Sequence, residues 1–283
     1  MIANKLRTSP ADGYVLPRSS TEYDRLREQA RIYEQATRRV LERAGLGTGM
    51  SCLDVGCGPG AVMEIMGELV GATGHVVGVD IDRRAGLEGL RRLRSNGNNR
   101  YAFFEHDLTS QTPFPGGPYD VTFARFVLIH LTDPLALLRK MYEATRPGGA
   151  VVVQDSSFAA FDIQPRPRGW NVVEKCLFGV FEETGKDPCI GDKLPAHFVA
   201  AGIGMPDGTD IHRSTMPFTE YGEHVLGVIR GLQPRAVQLG LTTEAESRAC
   251  FDEFNEMIGS DRAYTYRSPH IVGAWKTKTL GAG

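Results

Sequence analysis

Residues 53–60 read Leu-Asp-Val-Gly-Cys-Gly-Pro-Gly, and the apolar run Val76-Val77-Gly78-Val79 ends in Asp80, twenty positions after the last of those glycines. A strand that enters a glycine-rich turn, with a carboxylate closing the next strand, describes a crevice at the carboxyl edge of a parallel sheet. Gly56, Gly58 and Gly60 have no Cβ, so the turn between them bends sharply and lies close against a ligand. The strand is predicted over residues 51–55 and the following helix from about Ala61. At the end of the second strand, Asp80 is placed to accept hydrogen bonds from both hydroxyls of a ribose, so the ligand is expected to carry an unphosphorylated ribose diol.

The spacing of the glycines narrows the ligand. A dinucleotide fingerprint is G-x-G-x-x-G, whereas here the third glycine comes one position early and Ala61 occupies the dinucleotide position. Asp54, two residues before the first glycine, would repel a pyrophosphate and attract an ammonium or sulfonium cation. A nicotinamide cofactor is the disfavoured alternative on the same two grounds.

Four further segments follow in order. Phe103-Phe104-Glu105-His106-Asp107-Leu108 reads as the end of a third strand, Tyr119 to Leu131 as a fourth strand and the segment after it, and Asp133-Pro134 as the capped start of a helix. Arg146-Pro147-Gly148-Gly149 leads into the apolar run Ala150 to Val153, which ends at Gln154-Asp155. With the glycine loop, these segments resemble the class I S-adenosylmethionine-dependent methyltransferases over roughly residues 48–216. The ubiquinone/menaquinone-type enzymes and actinobacterial natural-product methyltransferases are the members they are most similar to.

The resemblance implies a Rossmann-like, doubly wound seven-stranded α/β sheet whose last strand is antiparallel. It also implies S-adenosylmethionine as cofactor, with S-adenosylhomocysteine as product. The loop Asp54, Gly56, Cys57, Gly58 and Gly60 would hold the methionine portion, Asp80 with Ile81 the ribose, and Asp107 with Leu108 the adenine. Ala124 and Arg125 would meet the amino acid end. Cys57 reads as a small filler of the loop, not a nucleophile. His130 is one candidate general base, since an imidazole titrates near neutral pH, and Asp155 at the end of the fifth strand is the other.

Strands are expected at residues 51–55, 75–80, 101–105, 120–124 and 150–154, then a helix near 191–201, a strand near 209–216 and a last strand near 270–276. Three segments exceed this minimum. Residues 1–47 form an N-terminal helical arm and cap ahead of a methyltransferase domain at 48–283, with lid insertions near 156–190 and 217–260. The arm carries Glu22, Arg25, Leu26 and Gln29 at the spacing E-x-x-R-L-x-x-Q, and the resemblance implies Tyr14 and Gln29 near the methionine portion. Trp170, Phe178, Phe181 and Phe218 are candidates for an apolar substrate pocket.

A chain of 283 residues with 41% hydrophobic residues can bury a full core. Its formal net charge of -2 provides no electrostatic footprint for nucleic acid, no run reaches the length of a membrane span, and the first ten residues lack a signal-peptide apolar region. A cytoplasmic protein acting on a small molecule, with homo-oligomerisation left open, is the expectation. Five cysteines without a C-x-x-C pair fit a reducing compartment and argue against zinc, and the acidic cluster of a catechol-type magnesium site is missing. Three functions remain open at this point: methyl transfer to a small molecule in secondary-metabolite or quinone-like chemistry, use of the bound cofactor only to shape a pocket for cyclisation or elimination, and non-catalytic cofactor binding.

Overall fold

The computed structural model describes residues 20–95, 97–260 and 262–279. Two helices, α1 (Ser20–Ile32) and α2 (Glu34–Arg43), precede an alternation of strands and helices: β1 (Ser51–Val55), α3 (Ala61–Val70), β2 (His75–Asp80), α4 (Arg83–Leu93), β3 (Tyr101–Glu105), β4 (Tyr119–Arg125), α5 (Pro134–Ala144) and β5 (Thr145–Ser157). Then follow β6 (Asp162–Gln164), the short helices α6 (Trp170–Glu174), α7 (Val180–Glu183) and α8 (Leu194–Ala200), β7 (Gly208–His212) and β8 (Thr215–Pro217). The long helices α9 (Phe218–Gln238) and α10 (Glu244–Ile258), and finally β9 (Thr265–Arg267) and β10 (His270–Thr277), complete the described chain.

The main sheet has seven strands in the order β3-β2-β1-β4-β5-β10-β7. The pairs from β3 to β5 are parallel, and β10 runs antiparallel to both of its neighbours. This is the expected mixed sheet, and its strand order reverses between β1 and β4, where Val55 lies opposite Ala124. A crevice must therefore open above the ends of those two strands. The central strands read as apolar runs because both faces are covered, with Leu53, Val55, Phe123, Val151 and Val153 all at 0% exposure. Each such side chain contributes roughly 1.5–3 kcal/mol on leaving water.

Two departures from the sequence expectation have a common cause. The strand anticipated near 209–216 breaks after His212, so that β7 edges the main sheet while β8 turns away to pair with β9. The turn is held by Ser268, whose Oγ accepts from Ser214 N at 2.9 Å and whose N–H donates to Ser214 O at 2.9 Å. The resulting three-stranded sheet, β6-β9-β8, was not anticipated, because strands of three residues are too short to show alternation. β5 also begins five residues before the expected Ala150, since Thr145 already pairs with Tyr119 ahead of a register shift.

The N-terminal helices are sewn onto this frame. Val40 and Leu41 of α2 belong to the same apolar cluster as Cys52 of β1 and Val152 of β5. Arg39 and Arg43 both engage Asp210 of β7 at 2.7 and 2.8 Å, and α1 lies against α9. α10 starts with a capping box in which Thr243 and Glu246 each satisfy the other's backbone N–H. No helix among the described residues is long and apolar enough to cross a membrane.

Candidate functional site

A cavity of about 260 Å³ lies above the carboxyl ends of β1, β2 and β4, roofed by α1 and α9. Its floor is the loop after β1. Gly56 and Cys57 donate their N–H groups to Val79 O at 2.8 and 3.0 Å, which locks the turn to β2. Gly56 has φ +72°, and a Cβ there would come within 2.5 Å of Val127 Cγ2. Gly60, at φ +76°, is the cap position from which α3 departs.

Asp80 closes this floor from the side. Its Oδ2 accepts from Gly58 N and its Oδ1 from Asp82 N, both at 2.8 Å, so the carboxylate orients the glycine loop as well as facing the cavity. Asp82 caps α4 through Ala85 N and accepts the hydroxyl hydrogen of Tyr23 at 2.6 Å. The cap helix α1 is thereby tied to the same rim. Asp107 accepts from the N–H and hydroxyl of Thr109 at 2.8 and 2.7 Å, and these bonds hold its carboxyl below the usual carboxylate range.

Two opposite charges occupy the end of β1 and β4. Asp54 is 1% exposed, and its Oδ2 has no hydrogen-bond partner among the described residues. Burial pushes its pKa up to about 7, with the positive charge of Arg125 working against that rise. Arg125 is lowered to about 10 by the same burial; its Nη1 donates to Thr37 Oγ1 at 2.9 Å, and that hydroxyl donates to Gln154 Oε1 at 2.7 Å. No hydrogen bond joins Asp54 to Arg125 among the described residues. A buried carboxylate with one oxygen unpartnered among the described residues, beside a buried guanidinium, is complementary to a zwitterion, the ammonium to one and the carboxylate to the other. Next to them Phe126 has φ +55°, a conformation that strains a bulky residue. It is held by its N–H on Gln154 O at 2.9 Å and by edge packing of Tyr33 at 5.6 Å.

The cavity brings together Gln29, Asp54, Gly56, Cys57, Gly58, Asp80, Ile81, Asp107, Leu108, Arg125 and His130. Ala124 is buried within β4 and Gly60 lies behind the loop, so neither lines it. Tyr14 lies outside the described residues. Cys57 is buried, its thiol pushed well above the usual range by desolvation, as befits a filler.

Asp155 departs from its expected place. Its side chain is 0% exposed, does not face the cavity, and accepts from Ile129 N at 3.2 Å and Ser156 N at 2.9 Å. It secures the turn after β4, where a substrate does not reach it. Of the four aromatics expected at a substrate pocket, only Phe181 lines the cavity. Trp170 stacks on Phe161 at 5.5 Å, Phe218 packs edge-on against Phe254 at 5.4 Å, and Phe178 packs against the core.

Beyond the charged end the walls are apolar, formed by Leu131, Phe158, Phe161 and Leu177 facing Val225, Val228, Ile229 and Leu232 of α9. Polar groups punctuate them, of which Tyr33, Tyr266 and His224 were not singled out in the sequence. Arg25 makes a bidentate pair with Glu22 at 2.7 and 2.8 Å, and Tyr33 and Tyr266 face the same space. Two imidazoles are held neutral there: desolvation, then Lys186 and Arg25, lower His130 to about 3, and desolvation followed by Arg25 lowers His224 to about 4. The signal for His224 was present in the sequence as the one polar residue on an otherwise apolar helical stripe.

The comparisons with known proteins agree with this geometry. A family profile described as a methyltransferase domain matches residues 25–175. A demethylmenaquinone methyltransferase of Listeria welshimeri is 26% identical over 166 residues, 58% of this chain and 67% of that protein. The ubiquinone/menaquinone biosynthesis C-methyltransferase UbiE of Vibrio vulnificus is 29% identical over 131 residues, 46% of this chain and 50% of its own length. The crystal structure of a Bacillus halodurans protein superposes with a TM-score of 0.57 at 16% identity, covering 86% of this chain and 99% of the other, a likeness of fold alone.

Proposed function

Because the chain belongs to the S-adenosylmethionine-dependent class I methyltransferases, we propose that it transfers the methyl group of S-adenosylmethionine to an apolar small molecule of secondary or quinone-like metabolism. The observation that carries this reading is the buried Asp54, whose Oδ2 has no hydrogen-bond partner among the described residues, set beside Arg125 at one end of an otherwise apolar cavity. Asp54 would take the ammonium and Arg125 the carboxylate of the methionine portion, with the N–H groups of the glycine loop beside them. Asp80 would receive the ribose hydroxyls, Ile81 and Leu108 the faces of the nucleoside, and Asp107 the adenine amino group. Gln29 of α1 would close over the methionine portion.

When bound, the cofactor supplies a methyl group already activated by its sulfonium. The protein's task is then alignment and exclusion of water. The apolar walls and the roof of α1 and α9 exclude solvent, while His130 and the Arg25–Glu22 pair offer hydrogen bonds to an acceptor. The apolar lining supports a hydrophobic acceptor, in keeping with the demethylmenaquinone and ubiquinone/menaquinone methyltransferases this chain resembles.

Isothermal titration with S-adenosylmethionine and S-adenosylhomocysteine tests the reading. Micromolar binding, lost in Asp80→Ala, is expected. Well-folded protein that binds neither compound would overturn it, and a cofactor that stays intact through turnover of an acceptor would replace methyl transfer by a cyclisation or elimination.

A further inference from the structure

The helix α9 presents one stripe to the cavity, residues 224, 225, 228, 229 and 232, a spacing that lies along a single helical face. Four of the five are aliphatic, and His224 is the exception. Its Nδ1 is shielded from solvent and has no hydrogen-bond partner among the described residues. A hydrogen bond at one ring nitrogen is what normally fixes the tautomer of an imidazole. In its absence, the occupant of the cavity sets the tautomer, and Nε2 is the nitrogen left for that occupant to meet.

We propose, resting on the methyltransferase reading above, that the acceptor is a phenol whose hydroxyl is bound and deprotonated by His224, so that oxygen is the methylated atom. The hydroxyl proton passes to His224 Nε2 as an oxygen lone pair forms the new C–O bond; the electron pair of the breaking C–S bond stays on sulfur, and the positive charge ends on the imidazole. A strong base is not needed, because the phenolic proton becomes acidic as the C–O bond forms. What is needed is a neutral imidazole, and burial together with Arg25 keeps His224 in that form. Arg25, also facing the cavity, stabilises negative charge developing on the oxygen. His130 is less suited to receive the proton, since it faces two cations, Lys186 as well as Arg25, and packs against Phe181 at 6.0 Å.

The test uses the full chain saturated with S-adenosylhomocysteine and two probes of nearly equal shape, 4-nitrophenol and its methyl ether 4-nitroanisole. Wild-type protein is expected to bind the phenol about tenfold more tightly than the ether, the difference one buried hydrogen bond makes. His224→Phe keeps the bulk and the apolar face; it should reduce the preference to about twofold or less while its affinity for S-adenosylhomocysteine is retained. His224→Gln, which can still accept a hydrogen bond, should restore part of the preference. Equal affinity for the two probes in the wild type, a failure to bind either one, or an undiminished preference in His224→Phe would overturn the assignment. Failure of the wild type to bind S-adenosylhomocysteine would instead overturn the cofactor reading.

Discussion

Gly56→Ala separates the two demands that the glycine loop places on its first residue. At φ +72° any side chain pays a conformational cost, and the new Cβ would stand 2.5 Å from Val127 Cγ2. Gly58 provides the control, because at φ +48° a Cβ meets nothing within 4 Å. Gly58→Ala should therefore lose only the left-handed backbone term, about 1 kcal/mol. Gly56→Ala loses that term and also displaces Val127, an overpacking cost of roughly 1–3 kcal/mol, for a total of about 2–4 kcal/mol. Urea unfolding of the cofactor-free protein reads both, as a drop in midpoint at unchanged slope. Adding Val127→Ala removes the clashing methyl groups, so in a double-mutant cycle it should recover the steric share in Gly56→Ala and none in Gly58→Ala. Gly56→Ala and Gly58→Ala of equal stability, or a cycle without coupling, would refute the packing account of this turn.

Other substitutions test the neighbouring parts. Asp54 is held near pKa 7 in the folded chain against an ordinary value of 3.8, so the folded state binds more protons between those values; stability is fully present at low pH and is lost as pH rises through about 7. Asp54→Asn should consequently raise the midpoint of the cofactor-free protein at pH 8 while lowering affinity for S-adenosylmethionine at least about tenfold, through loss of a charge-assisted contact; calorimetry and titration on one sample check both signs. Tyr23→Phe removes the bond to Asp82 and should weaken cofactor binding several-fold by loosening α1, with little change in the unfolding midpoint. Asp155→Asn should destabilise the fold by about 1–3 kcal/mol, because one of two buried N–H groups loses its acceptor; a collapse of turnover at undiminished stability would return Asp155 to the chemistry.

Legibility in the sequence followed the physics of each element. The limits of β1, β2 and β3 coincide with their expected positions because glycines or charged residues stop each apolar run abruptly. That Asp54, Gly56, Gly58, Asp80 and Asp107 line one cavity was readable for a related reason: backbone N–H groups and carboxylates at strand ends are placed by the sheet itself. The apolar half of the cavity was not. Whether an aromatic on an insertion faces a cavity or a neighbour depends on packing between distant segments, which is why Phe181 and Phe218 look alike in the sequence and only Phe181 reaches the cavity. Asp155 was misread for the opposite reason, since its strand-end position suggested exposure while the turn after β4 folds back over it and fills its oxygens. His224 went unremarked because a single imidazole on an apolar stripe reads as core until the stripe is seen to face a void.

The small sheet has a consequence for how such a chain can change over time. Pro217, just before α9, lies opposite Thr265, seven residues after the end of α10, and Thr215 lies opposite Arg267. The whole helical hairpin thus leaves and rejoins the body through one pair of adjacent strands, like a tool clipped into a holder. Helices of other lengths and linings can be exchanged at that clip without re-registering β10 or disturbing the half of the cavity built on β1 and β2. Divergence in the α9 wall of the cavity is thereby confined to one segment, and a hairpin grafted between residues 217 and 265 is the natural unit for changing that wall while Leu131, Phe158, Phe161 and Leu177 opposite stay in place.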